Sequence, residues 1–225
     1  MKRITLIVCL ITVITAFTMS GCNTGKKSNQ LTTPSKIELI VEPGEYWLVK
    51  WKLFIFKLNR TPQMAAWIEN DQGNYISTII VTNKNARKKW LKAPKEGRPE
   101  ALPVWNHKMQ NSTAQIDGVS AATSKGAVDV QIDDHSLING QEYNVYLEIN
   151  NSFDYNDFWT ENNSGVNGQP SLIYHAKFIA GKSAEINLSP IGHGSVDGIN
   201  GNIYQDLNGI TTALNIIGKA YVNVN

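Results

Sequence analysis

Met64-Ala65-Ala66-Trp67-Ile68-Glu69 runs into Asn70-Asp71-Gln72-Gly73, and the chain resumes as Tyr75-Ile76-Ser77-Thr78-Ile79-Ile80-Val81-Thr82. Two short runs rich in aromatic and β-branched residues flank a cluster of turn formers, which is the signature of a β-hairpin. The same grammar extends to both sides. Upstream, Ile37, Leu39 and Val41 alternate with polar positions before Pro43-Gly44, and Tyr46 to Leu58 carries Trp47, Trp51, Phe54 and Phe56, so these two segments read as a first hairpin. Downstream, Ala127 to Ile132 alternates through Val128, Val130 and Ile132. After Asn139-Gly140, Tyr143, Val145, Leu147 and Ile149 do the same, and these read as a third pair. Leu172 to Ile179, Ala184 to Leu188 and Ala220 to Val224 add later strands.

At least eight strands with regular turns and no long helical period give an all-β fold, an immunoglobulin-like β-sandwich. Alternation puts Trp67 and Val145 on inward strand faces. Asn83 to Asn111 breaks the rhythm with Lys84, Arg87, Lys88, Lys89, Lys92, Lys95, Arg98 and Lys108. It reads as a solvated basic insertion with a short helix near Ala86 to Leu91, or as a surface for phosphate or an anionic membrane. Asn150 to Asn167 and Gly192 to Gly201 read as long loops.

Of the 225 residues 42% are hydrophobic, enough to build a core and to exclude global disorder. The net charge of +2 vanishes when the first 21 residues, with Lys2 and Arg3, are removed, leaving 19 basic against 19 acidic side chains. Bulk charge therefore gives no case for nucleic-acid binding. Cys9 and Cys22 are the two cysteines, so the body has neither a disulfide nor a thiolate metal site. Lys2-Arg3, the apolar run Ile4 to Phe17 and the small residues before Cys22 lay out an export signal, too short for a comfortable permanent membrane span. Met19-Ser20-Gly21-Cys22 resembles a lipoprotein lipobox, with Met19 in place of the usual leucine. The resemblance implies a signal peptide over 1–21 and an acylated Cys22 as mature N-terminus; the Lys-, Ser-, Thr- and Asn-rich residues that follow read as a flexible tether over 22–35, ahead of one sandwich domain over 36–225. The expected place is the extracytoplasmic side of the cell envelope, anchored to a membrane by lipid.

Three stretches together resemble a known group of exported bacterial proteins. They are Ala66-Trp67-Ile68-Glu69-Asn70 through Gly73 to Thr78, Arg98-Pro99-Glu100-Ala101-Leu102-Pro103-Val104-Trp105, and Asp117-Gly118-Val119-Ser120-Ala121-Ala122-Thr123. The group is the predicted periplasmic proteins of domain of unknown function 2271, and the name supplies no activity. Val128 to Ile149 is also similar to immunoglobulin-like modules of flagellar hook-capping proteins, which supports the sandwich.

Asp117 to Ser124 resembles the acceptor motif of bacterial flavin transferases, which join flavin mononucleotide (FMN) by a phosphoester to the final threonine of Asp-x-x-Ser/Thr-Gly-Ala-Thr. The resemblance implies Thr123 as acceptor, with Asp117 and Ser120 as recognition positions; Ala121 stands where the motif has glycine. Read without it, the same stretch is a turn and a small-residue loop leading to the strand at Ala127. Catalytic constellations are not legible: His107, His135, His175 and His193 are scattered, read as surface or loop residues, and no Gly-x-Ser-x-Gly elbow occurs. Asp154, Asn156 and Asp157, or Asp197, Asn200 and Asn202, offer oxygen ligands for calcium but fit polar turns as well. The resulting expectation is a non-enzymatic envelope lipoprotein, an accessory or covalently flavinylated electron carrier partnered by a flavin transferase or redox protein. The alternative is a cofactor-free module that docks a partner protein or glycan.

Overall fold

The alternation of Ile37, Leu39 and Val41 buries one side of a nine-residue strand, β1 (Ser35–Pro43), and three apolar rows decide its neighbours. Ile132, Ile37 and Val224 lie opposite one another, as do Val130, Leu39 and Val222, and Val128, Val41 and Ala220. β1 is thereby held between β7 (Val128–Asp134) and β12 (Ile217–Val224), and β10 (Ala184–Asn187) completes a four-stranded sheet in the order β10-β12-β1-β7. The computed structural model describes residues 35–53, 56–86, 97–111, 119–121 and 126–225. The stretches expected as signal peptide and tether before Ser35 lie outside the described residues, as do Cys22, Asp117 and Thr123.

The second sheet is built around the hairpin that opens the sequence reading, β4 (Gln63–Asn70) and β5 (Tyr75–Thr82). With β8 (Glu142–Asn150), β9 (Leu172–Ile179), β11 (Ser189–His193) and β6 (Val119–Ala121) it gives the order β11-β9-β8-β4-β5-β6. Every pairing is antiparallel except β5 with β6. The main core lies between the sheets, where Ile37, Leu39, Val41 and Val222 meet Met64, Ile68, Val145, Leu147 and Tyr174. An all-β sandwich is therefore correct.

Strand pairing departs from the expectation in two places. The segments at Ile37 and Tyr46 do not form a hairpin; β2 (Val49–Leu53) pairs instead with β3 (Phe56–Arg60) as a separate ribbon. Nor do β7 and β8 form a pair, because the turn at Asn139-Gly140 carries the chain from one sheet to the other. Gly140, at φ +86°, supplies the left-handed backbone that this turn needs, and its N–H donates to Ala180 O at 2.8 Å. β11 also forms at the start of the stretch expected to be a glycine-rich loop, and a short helix, α3 (Glu161–Ser164), lies in the asparagine-rich one.

The stretch expected as a solvated insertion behaves differently where it is described. α1 (Asn83–Ala86) ends where the helix was expected to begin, and 87–96 lie outside the described residues. Residues 97–111 are a cover: Leu102, Val104 and Trp105, on and just before α2 (Pro103–Gln110), pack with Ala65, Trp67, Val81 and Ile173 in a second core. That core is on the face of the six-stranded sheet turned away from the sandwich. Trp67 is buried as expected, but in this outer core, since Met64, Ala66 and Ile68 take the inner positions.

Burial on opposite faces predicts different damage. Val145→Asp puts an unpartnered carboxylate between the sheets and should abolish a cooperative urea transition. Trp67→Ala should leave the fold intact but lower its stability by about 3–5 kcal/mol. Unchanged unfolding curves for both variants would contradict the two-core arrangement.

Candidate functional site

The first two family-like stretches come together on the outer face of the six-stranded sheet, where α2 joins them. Its N-cap position is Leu102, which has no side-chain acceptor, and its first residue is Pro103, which has no N–H to satisfy. The next two amides are the exposed donors of the helix end. Glu148, reaching up from β8, accepts both: Trp105 N at 2.8 Å on Oε2 and Val104 N at 3.2 Å on Oε1. Ser171 Oγ donates to Oε1 at 2.6 Å. Gly194 closes the space, for a Cβ there would stand 2.6 Å from Pro103 Cγ and from Ser171 Oγ.

Glu148 is fully buried, and burial pushes its carboxyl up to about 7 against the opposing pull of Ser171, Trp105 and Val104. The helix N-terminus favours the ionised form, and the Ser171 hydroxyl can donate or accept, so the contact survives protonation.

The other end of α2 is tied by charge. Lys108 Nζ lies 3.0 Å from Glu69 Oε2 and 3.2 Å from Gly73 O, while Glu69 Oε1 accepts Trp67 Nε1 at 2.8 Å. Trp105 Nε1 donates to Thr78 Oγ1 at 3.1 Å, and Tyr75 Oη also meets Thr78 Oγ1. The first stretch, from Ala66 to Thr78, therefore supplies the floor and the second, from Arg98 to Trp105, supplies the lid. Arg98 anchors the lid's start, with Nε 2.8 Å from Glu100 Oε1, Nη1 2.8 Å from Ser152 Oγ and Nη2 3.0 Å from Asn167 Oδ1.

Beside the lid a row of rings crosses three strands. The Trp67 ring stacks on Tyr146 at 5.2 Å and Tyr146 meets His175 at 4.7 Å, in keeping with their positions opposite one another in the sheet. Burial raises the Tyr146 phenol, with Glu69 adding to it. Burial also lowers the His175 imidazole, reinforced by Lys177 and opposed by Glu69. Its Nε2 is 2.9 Å from Asn144 Oδ1. Both shifts favour the uncharged form of the group.

The third stretch enters at the sheet edge. In β6, Ser120 lies opposite Val81 of β5, and Val81 belongs to the outer core. This corrects part of the loop reading, since Val119 to Ala121 form a strand. The acceptor candidate Thr123 and the recognition candidate Asp117 lie outside the described residues.

The remaining candidates resolve into structural roles. His193, expected at the surface, is buried at the end of β11 and stacks on Tyr204 at 5.3 Å, while His107 on α2 lies 3.1 Å from Gly198 O. His135 stays in an exposed turn after β7. Asn156 Oδ1 accepts the amides of Phe158 and Trp159, and Asp197 Oδ1 accepts Ile199 N, the turn chemistry that competes with calcium. Among the described residues no group of three or more His, Cys, Asp or Glu is placed to hold a metal. A groove of about 350 Å³ between β5 and β7 is lined by Ile76, Ser77, Thr78, Asp133, Asp134 and His135. The buried acid Glu148 was missed from sequence because strand alternation marks its face and not its cover.

Residues 57–151 match the model of the family described as predicted periplasmic protein, domain of unknown function 2271. The match runs from β3 past the end of β8 and takes in all three stretches and Glu148. No curated protein and no solved structure matches the chain. Among the described residues no helix is long and apolar enough to cross a membrane.

The folded-state value of about 7 for Glu148 lies above that of an exposed glutamate, 4.5. Between those values the folded protein keeps a proton that the unfolded chain has released. Stability therefore falls as pH rises through this window, by on the order of 3 kcal/mol, and levels off above it. Glu148→Gln should flatten that part of the curve in urea titrations taken from pH 4.5 to 8. Equal slopes for the two proteins would contradict the assignment.

Proposed function

We propose, for a chain whose residues 57–151 match the model of the predicted periplasmic proteins of domain of unknown function 2271, a non-enzymatic role as a lipid-anchored flavin carrier of the envelope. The observation that carries the reading is the place of the acceptor-like stretch. Its described part, Val119 to Ala121, is the terminal strand of the six-stranded sheet, bonded to β5 on one side. An edge strand that ends two residues before the acceptor threonine favours access by a modifying enzyme, and the outer core beneath β5 gives that edge a rigid base.

In this reading Thr123 Oγ attacks the flavin-side phosphorus of a flavin dinucleotide donor, the phosphoester to FMN forming as the pyrophosphate bond breaks and the nucleoside monophosphate leaves with the hydroxyl proton, and Asp117 and Ser120 are the positions a transferase recognises. The bound flavin supplies reversible electron transfer. This chain's own part is to hold it by a bond that prevents loss outside the cytoplasm and to present it from a fixed edge. Cys22, acylated, keeps the carrier at the membrane where a redox partner resides.

Expression in an exporting host with a flavin transferase should give yellow protein heavier by one esterified FMN, and Thr123→Val should remove both colour and added mass. Colourless parent protein of unmodified mass would overturn the carrier reading. Separately, Cys22→Ser should leave the body folded and release it from the membrane fraction; unchanged fractionation would overturn acylation.

A further inference from the structure

Among the described residues the two large sheets end in the edge strands β10, β7, β11 and β6, and three of these are blunted. β10 is four residues long, β6 is three, and β11 carries Pro190 and loses register between Pro190 and Gly192. β7 has none of these devices. It runs for seven residues as Val128-Asp129-Val130-Gln131-Ile132-Asp133-Asp134, without proline or lysine and in unbroken register with β1. Among the described residues β1 is its one strand partner, so alternate N–H and C=O groups of β7 point away from the sheet.

The side chains of β7 divide by face. Val128 and Val130 are buried in the main core and Ile132 packs against it, while Asp129, Gln131 and Asp133 are exposed on the other face. On β1 the residues opposite these three are Ile40, Glu38 and Lys36, so the exposed rim is acidic apart from Lys36 beside Asp133. Asp134 pins the end of the strand to the second sheet. Its Oδ2 accepts Ser77 Oγ of β5 at 2.6 Å and its Oδ1 accepts Ser136 N at 2.8 Å. Beside that end lies the groove of about 350 Å³, with Ile76 and Ile132 among its lining residues.

We propose that β7 is a docking edge for an extended, basic segment of another protein, which adds a fifth strand to the four-stranded sheet. A row of backbone donors and acceptors at strand spacing is matched by another backbone, and this makes the partner a peptide. The acidic rim selects its charge. A second copy of β7 is a poor occupant, because antiparallel self-pairing over the whole strand sets Asp129 opposite Asp133 twice, and like charges directly opposite repel. Lysine or arginine at those two partner positions turns the repulsion into attraction. The intervening partner residues face the core side, where apolar side chains extend the rows that end in Val130 and Ile132, and the groove gives them room. Asp134 and the ladder to β1 already hold β7 extended, so docking demands little ordering of this chain. The acceptor-like stretch is at an edge of the other sheet, and the proposal is independent of flavin attachment.

The test uses the chain from residue 22 with Cys22→Ser and a synthetic peptide as long as β7, with lysine opposite Asp129 and Asp133, threonine opposite Gln131 and valine elsewhere. Titration followed by amide NMR should shift the β7 signals and slow the exchange of the amides not bonded to β1. Methylating the peptide nitrogens that face β7 should abolish binding, and methylating the alternate set should spare it. A peptide with glutamate for both lysines should bind more weakly by on the order of 10-fold. Asp129→Lys combined with Asp133→Lys should reverse that preference, with the thermal melt as folding control. No binding of the lysine peptide, equal binding of the lysine and glutamate peptides, or equal binding of the two methylated peptides would overturn the proposal. Protection of the same amides in the free monomer, or in a dimer of this chain, would give the edge to the chain itself or to a second copy and overturn it equally.

Discussion

The Glu148 carboxylate takes the two leading amides of α2 in a place where water is excluded, and the outer half of the molecule rests on that contact. A helix that begins with Leu102 and Pro103 cannot cap itself, so its free donors would be buried without partners if the lid closed over a plain apolar sheet. An acceptor delivered from β8 removes that penalty. It also sets the position of the helix, because both oxygens are used and Gly194 leaves no room for a shift toward Pro103.

With α2 seated, Leu102, Val104 and Trp105 complete a core that the sheet alone cannot close. The six-stranded sheet is then covered inside by the four-stranded sheet and, over Ala65, Trp67, Val81 and Ile173, outside by the lid. Such a sheet tolerates a three-residue edge strand: β6 lies against the end of β5 whose Val81 is packed under the lid. The aromatic row from Trp67 to His175 and the Lys108–Glu69 pair both belong to this one face. Its chemistry rests on shielding and fixed orientation; burial biases Tyr146 and His175 toward their uncharged forms, and the fully buried Glu148 serves the backbone.

The hairpin β4–β5 was legible because both of its strands and its turn are contiguous, and Asn70 Oδ1 accepts the amides of Gln72 and Asn74 as a turn-forming side chain should. β9 and β12 were legible from alternation alone. Pairing was not, because a period of two says that one face of a strand is buried and not against which sheet. Val128 to Ile132 and Tyr143 to Ile149 look like partners, yet each finds better apolar rows elsewhere: β7 beside β1, β8 between β4 and β9. The lid was hidden by its composition. Lysines crowd the stretch from Asn83 to Asn111 and suggest solvent, while Leu102, Val104 and Trp105 among its apolar residues fill the outer core. Tryptophan in a charged segment was the available signal. Of the acceptor candidates, Ser120 is now placed in β6, whereas Asp117 and Thr123 lie outside the described residues.

Amide hydrogen exchange at Val104 and Trp105 tests this arrangement most directly. With Glu148 holding both N–H groups in a water-free site, their protection should equal that of core amides in β4 and β8, and Glu148→Ala should abolish it while leaving the β1 and β12 amides protected. Fast exchange of Val104 and Trp105 in the parent protein, or protection unchanged by loss of the carboxylate, would contradict it.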